Sequence, residues 1–156
     1  MSKIQSAVRR LGATRAWSAV GRFLAPADRV LLKVTRGRLG VGTAAGLRTV
    51  LLTTTGRSSG QPRQVPLLYV RHGGGLVVVA SNWGGQRHPG WSANLLAEPL
   101  AEVTHAGNTW PVRARLLTDP ERAEAWAAIV AHWPAYEGYA ERATERTIRV
   151  FHLTRT

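Results

Sequence analysis

Three apolar runs follow one another with links too short for a parallel crossover. "RTVLLTTT" covers residues 48–55, "QVPLLYVR" 64–71 and "LVVVAS" 76–81. A parallel connection takes a dozen or more residues, so these runs must pair antiparallel. "HGGG" (72–75) reads as the tight turn of the second hairpin, because glycine enters the left-handed region without steric cost. Pro66 puts its run at a sheet edge or a strand start, since proline brings no N–H to a ladder. "LVVVAS" shows no alternation and reads as a strand buried on both faces.

The same logic continues downstream. "LAEVTH" (100–105) and "WPVRARLLT" (110–118) flank an Ala-Gly-Asn turn and form a further hairpin, and "RTIRVFHLTR" (146–155) closes the chain as a strand. Helices are predicted over 3–24, Arg29 to Arg36, 88–99, 118–133 and a short piece at "AYEGYAERA". Pro26 stops the first of these and Asp28 caps the second. Pro89 suits a first turn, and Thr118 with Glu121 has capping-box spacing. "RGRLGVGTAAG" (36–46) reads as loop. The order α, β-β-β, α, β-β, α, β argues an α+β fold, with a largely antiparallel sheet or small barrel. The 156 residues make one domain of 28–156, preceded by a basic amphipathic helix over 1–27.

Composition narrows the partners. The formal net charge is +12, which favours nucleic acid, an acidic membrane or a phosphorylated small molecule. Aromatic and basic residues are not interleaved in a recognisable nucleic-acid motif, so no specific nucleic acid is expected. There are no cysteines, so disulfides and thiolate metal sites are excluded. None of the five histidines has a partner at metal-ligand spacing, and no metal is expected. No run approaches transmembrane length and no signal-peptide core is evident, so the expected location is the cytoplasm. The N-terminal helix, with Trp17 and Phe23, permits a peripheral position on anionic lipid; packing on the barrel or in a homodimer is the plain alternative.

Three stretches could carry chemistry. "TTTGRSSGQPR" is neither a P-loop nor a dinucleotide fingerprint, for it precedes a strand. Its backbone amides with Arg57, Ser58, Ser59 and Arg63 could form an anion nest, or it is a solvated hairpin loop. "SNWGGQRHPGW" (81–91) ends a buried strand and opens a helix beside Arg87, again a setting for an anion. Two such loops, each at a strand end, read as one phosphate-binding groove. Trp133, Tyr136 and Tyr139 stand three apart; they either pack the core or wall a planar ligand, with a phenol able to donate a proton.

"LLTTTGRSSGQPRQVPLLYV", "VVVASNWGGQRHPGWSANL" and "WPAYEGYAERATERTI", in this order, resemble the deazaflavin-dependent nitroreductases, which use coenzyme F420. The likeness runs from about residue 30 to the C-terminus. It implies a split β-barrel of about six strands. It also implies a reductase that passes hydride from reduced F420 to an electron-poor quinone, nitroaromatic or enone. On this resemblance Arg57, Ser58, Ser59 and Arg63 would hold phosphate and tail. Gln64, Val65, Pro66, Leu67 and Leu68 would lie beside the ring. Val79, Ala80, Ser81 and Asn82 would border the deazaflavin, and Gly90, Trp91, Ser92, Ala93 and Asn94 would supply helix-start contacts. Tyr136 and Ser81 take the catalytic positions, and Leu68, Trp133 and Tyr139 the acceptor pocket. Ser58 and Asn82 stand where the family pattern carries cations, and Arg87 would compensate. Leu68, Ser92 and Trp133 stand where tyrosines occur. FMN or haem in the same groove is the alternative.

Overall fold

A computed structural model describes residues 14–44 and 46–156. Among these residues six strands form: β1 (Thr49–Thr55), β2 (Pro62–His72), β3 (Gly75–Val79), β4 (Leu100–His105), β5 (Asn108–Leu116) and β6 (Val150–Arg155). They close a barrel in the order β1-β2-β3-β6-β5-β4, with every neighbouring pair antiparallel. The α+β barrel expected from the strand runs is therefore the fold. Gly73 (φ 55°) and Gly74 (φ 76°) make the β2–β3 turn, a left-handed pair that suits the right-handed twist of a hairpin. Pro66 faces Leu51 of β1, in a stretch of β2 that β3 does not reach, since β3 pairs from Tyr69 onward. Its missing N–H is tolerated there, as at an edge.

Strand alternation sorts the core into two clusters. Val50, Leu52, Tyr69, Val78, Val103 and Phe151 fill the barrel interior together with Trp91 and Leu95 of a helix that plugs it. Val70, Val77, Val79 and Val150 face outward and meet a second, aromatic-rich cluster. β3 is buried on both faces, which is why its sequence is continuously apolar.

Among the described residues five α-helices flank the barrel: α1 (Arg15–Val34), α2 (Val41–Ala44), α3 (Gly90–Ala97), α4 (Glu121–His132) and α5 (Ala135–Arg142). Here several expectations are corrected. Residues 3–13 of the first predicted helix lie outside the described residues. From Arg15 that helix continues through Pro26 to Val34, so Pro26 does not end it. A mid-helix proline removes one hydrogen bond and crowds the preceding turn, at a cost of roughly 3 kcal/mol. Packing offsets this: Leu32 is fully buried, and the hydroxyl of buried Ser18 receives Arg142 at 3.1 Å. Asp28, now mid-helix, accepts the Val41 N–H at 2.6 Å and so caps α2, which forms within the expected 36–46 loop.

The Thr118–Glu121 capping box does not form. α4 starts without a side-chain cap, and the Glu121 carboxylate turns to Arg115 instead. The closing strand begins at Val150 rather than at residue 146, because Arg146 is drawn to the carbonyl of Ser81 and Arg149 to the hydroxyl of Ser92.

Candidate functional site

The bend between β1 and β2 is held by its own backbone. Gly56 N–H donates to Gln61 O (2.8 Å), while Ser59 and Gly60 N–H both donate to Gly56 O (3.2 and 2.7 Å). Gln61 N–H donates to Ser59 Oγ at 3.3 Å, and Arg57 N–H to Asn94 Oδ1 at 3.1 Å. Five amides of the bend are thus occupied, and the amide nest expected there is not free. What the bend presents to solvent is side chains: Arg57, Ser58, Ser59 and Arg63 are all exposed. An anion would be met by guanidinium groups, which bind carboxylate and phosphate through paired N–H donors.

Asn94 ties this bend to the second basic loop. It is buried, and it also donates from Nδ2 to Thr54 Oγ1 at 3.0 Å. Because Asn94 belongs to α3, the helix that the loop 81–89 leads into, the two loops share one end of the barrel. Buried Ser92 donates to Pro89 O at 2.9 Å and receives Arg149 Nη1 at 3.2 Å. Trp91 packs inward on Phe151, with ring centroids 5.8 Å apart. So Trp91, Ser92 and Asn94 build the helix start from within, while Gly90 is exposed and Ala93 half-buried.

The loop 81–89 takes an unusual path. Asn82 (φ 46°), Trp83 (φ 55°) and Gly84 (φ 77°) are successive left-handed residues. At Gly84 a Cβ would also come within 3.0 Å of Tyr139 O, so glycine is required twice over. The geometry is held by Arg146. Its Nη1 donates to Ala80 O (3.0 Å), Nη2 to Ser81 O (2.7 Å) and Nε to Gly85 O (2.9 Å). Nη1 also meets His88 Nδ1 at 3.3 Å. Burial, then Arg149 and Arg146, hold the His88 pKa below its ordinary value. Asn82 Nδ2 donates to Arg87 O at 2.9 Å, leaving the Arg87 side chain exposed.

The remaining predicted positions divide between barrel and aromatic cluster. Gln64, Val65, Pro66, Leu67 and Leu68 are half-buried along β2; Gln64 donates to Thr53 at 3.3 Å, Val65 and Leu67 abut the interior and Leu68 the outer cluster. Val79 and Ala80 are buried, Ser81 and Asn82 half-buried. Trp133, Tyr136 and Tyr139 are buried in the outer cluster. Tyr136 meets Tyr139 edge-on at 5.7 Å, and Tyr139 lies 6.2 Å from Trp83. Burial raises the pKa of both phenols, so they stay protonated across the neutral range. Trp83 thus joins the basic loop to the aromatic cluster. In turn α1 covers it, since a Cβ on Gly21 would strike the Trp83 ring.

Arg146, Arg149 and Trp83 were not among the residues singled out in the sequence. The two arginines stand three apart in "ERTIRV", and Trp83 sits inside "SNWGG", but no local spacing tells which loop such residues serve. Among the described residues no cluster of three or more His, Asp or Glu is placed to hold a metal ion.

The closed antiparallel barrel with its flanking helices is a split-barrel-like fold. Residues 27–155 match the family described as F420H(2)-dependent quinone reductase. An F420H(2)-dependent quinone reductase of Mycobacterium tuberculosis (strain ATCC 25618 / H37Rv) is 36% identical over 124 residues, 78% of this chain and 83% of the relative. A solved F420-H2 dependent reductase, FDR-A, is 38% identical with a TM-score of 0.62, covering 68% of this chain and 93% of its own. A structure described as a domain-swapped dimer is 37% identical with the same TM-score, covering 68% and 79%. The chain belongs to the F420H(2)-dependent quinone reductase family and is an F420-dependent reductase. Its family implies coenzyme F420 as hydride donor, and the FMN alternative has no support from these relatives.

Proposed function

We propose that this protein reduces a quinone, with nitroaromatics and enones as further acceptors, and that the two basic loops and α3 hold the cofactor. The observation that supports the site is the Asn94 clasp, which ties the Arg57 bend to the helix opened by the second basic loop. The chemistry of the donors fits the cofactor: F420 carries a phosphate and an oligoglutamate tail, and exposed Arg57, Arg63 and Arg87 meet anions with charge-assisted hydrogen bonds.

When bound, reduced F420 supplies the hydride. The protein's share is orientation and electrostatics, which is why no catalytic acid–base pair stands out. Arg57 and Arg63 fix the acidic tail. β2 from Gln64 to Leu68 and the Val79–Asn82 segment flank the ring, and Gly90 to Asn94 supply its helix-start contacts. Ser81, half-buried at the end of β3, sits at a strand end where its hydroxyl can hand a proton to the reduced acceptor. Tyr136 is the second proton donor, kept protonated by burial, with Leu68, Trp133 and Tyr139 as acceptor wall. Tyr136 stands on α5, packed against Trp126 of α4 and edge-on to Tyr139.

Stopped-flow oxidation of reduced F420 against a panel of quinones, nitroaromatics and enones tests this reading. Rapid turnover with quinones is the expected result; a protein that neither binds nor oxidises reduced F420 overturns it. A competition titration with FMN tests cofactor choice. The domain-swapped relative makes a homodimer the proposed assembly, to be read from the solution mass. The proposed location is the cytoplasm, at the inner face of the cell membrane.

A further inference from the structure

We infer that Trp83 decides which acceptors this reductase takes: its indole is a fixed wall of the acceptor pocket, two residues beyond Ser81, and it turns away quinones with bulk on the ring. The inference rests on the acceptor site proposed above. Two unfavourable local choices converge on this one side chain. Trp83 has φ 55°, a left-handed conformation that a bulky residue rarely adopts and that persists only where its surroundings impose it. Gly21 stands in the interior of α1, where glycine weakens a helix relative to alanine. The two meet in space. A Cβ on Gly21 would lie 2.3 Å from the Trp83 ring, so the bare backbone of α1 is what makes room for the indole.

The indole is held from other sides as well. Tyr139 meets it edge-on, with ring centroids 6.2 Å apart. Arg142 Nη2 donates to Trp83 O at 3.4 Å and to Ser18 Oγ of α1 at 3.1 Å, and its guanidinium lies 5.1 Å from the Tyr139 ring centroid. One arginine thus ties α1, the loop and α5 together around the indole. The turn that carries Trp83 also closes on the catalytic position, since Gly84 N–H donates to Ser81 O at 2.9 Å. Trp83 and Leu68, both half-buried, pack on the cluster that holds Trp133, Tyr136 and Tyr139. The acceptor wall of Leu68, Trp133 and Tyr139 therefore continues onto the indole. A wall pinned in this way does not yield to its ligand. A flat ring can lie against it in an offset stack, whereas a branched substituent on that ring collides with it.

The test is steady-state oxidation of reduced F420 by benzoquinone and by tert-butylbenzoquinone. The readout is the kcat/KM of the bulkier quinone divided by that of the smaller. Comparing this ratio between variant and parent cancels the difference in reduction potential between the quinones. Trp83→Ala should raise the ratio by at least about tenfold. Should that variant melt below the assay temperature, Trp83→Phe carries the test, with a rise of about threefold. Gly21→Ala drives the indole off α1 towards the pocket and should lower the ratio, an effect that should vanish once residue 83 is alanine. A purely structural Trp83 would change both quinones by the same factor, and a ratio that stays fixed in the folded variants overturns the inference. So does a Gly21→Ala effect on the ratio that survives beside Trp83→Ala. A parent that reduces neither quinone overturns the acceptor reading and this inference together; a parent that reduces both, with the ratio fixed across the variants, overturns this inference alone.

Discussion

The two basic loops at one end of the barrel are built in opposite ways. The bend at 56–61 satisfies its backbone with its own residues and borrows one contact, from Asn94. The loop at 81–89 borrows nearly everything. Three of the backbone carbonyls along 80–85 are held by Arg146, more than sixty residues further on, and Gln86 is fixed by Arg142 O and Glu145 N–H. The first loop therefore spends its cations outward, on Arg57 and Arg63. The second turns a half-buried cation inward, to hold three left-handed residues in place. A charge count cannot separate these uses, yet only the outward arginines are available to a ligand.

The strongest way to break this contrast is Arg146→Ala. It strips partners from the carbonyls of Ala80, Ser81 and Gly85, and a loss of about 2 kcal/mol in urea unfolding is expected, with loss of turnover. Arg146→Lys should recover only part, because an ammonium cannot span three carbonyls set in a fork. If the alanine variant is as stable as the parent, the loop does not depend on this clamp.

Asn94→Ala cuts the link between the two loops. It leaves the buried Thr54 hydroxyl without its donor, and a loss of about 1–2 kcal/mol is expected by the same measurement. Turnover should fall through a higher KM for reduced F420, as the bend loses its anchor on α3.

Arg57→Ala and Arg63→Ala sharpen the other side of the comparison. Both side chains are exposed, so stability should stay within about 0.5 kcal/mol. Fluorescence titration of F420 should show each raising Kd by about tenfold, an effect that salt reduces. An affinity unchanged in both variants would remove the bend from the cofactor site.

The smallest effect is a pH dependence. Arg146 can only donate, so His88 Nδ1 must accept, and a proton there would break the contact. The unfolded chain therefore binds a proton that the folded one resists. The His88 contribution is complete above the unfolded pKa near 6.5 and is lost as pH falls through the lower folded value. Urea midpoints across about pH 5 to 8 should fall less steeply on the acid side in His88→Asn than in the parent.

Much of the fold was legible because short-range rules governed it. The six strands, the Gly73-Gly74 turn and the burial of β3 on both faces follow from alternation and turn chemistry within a few residues. The misreadings share one cause. Pro26 and Asp28 carry the local signature of a helix break, yet burial of Ser18 and Leu32 carries α1 straight through. Thr118 and Glu121 have the spacing of a capping box, yet Arg115 on β5 takes the carboxylate. Arg146 and Arg149 look like strand residues until the 81–89 loop and Ser92 claim them.

The sequence by itself determined the strand set, its antiparallel pairing, the two glycine-rich basic loops and the resemblance that names the cofactor. Each of these depends on neighbours along the chain, where residue type sets backbone preference. Only the tertiary structure decided which arginines face out, that five amides of the bend are occupied, that Trp83 lies beneath α1, and that Phe23, Val30 and Val34 of α1 stand exposed. Those depend on partners tens of residues away, and a buried carbonyl or a packed face selects its partner by position in space, which spacing along the chain does not encode.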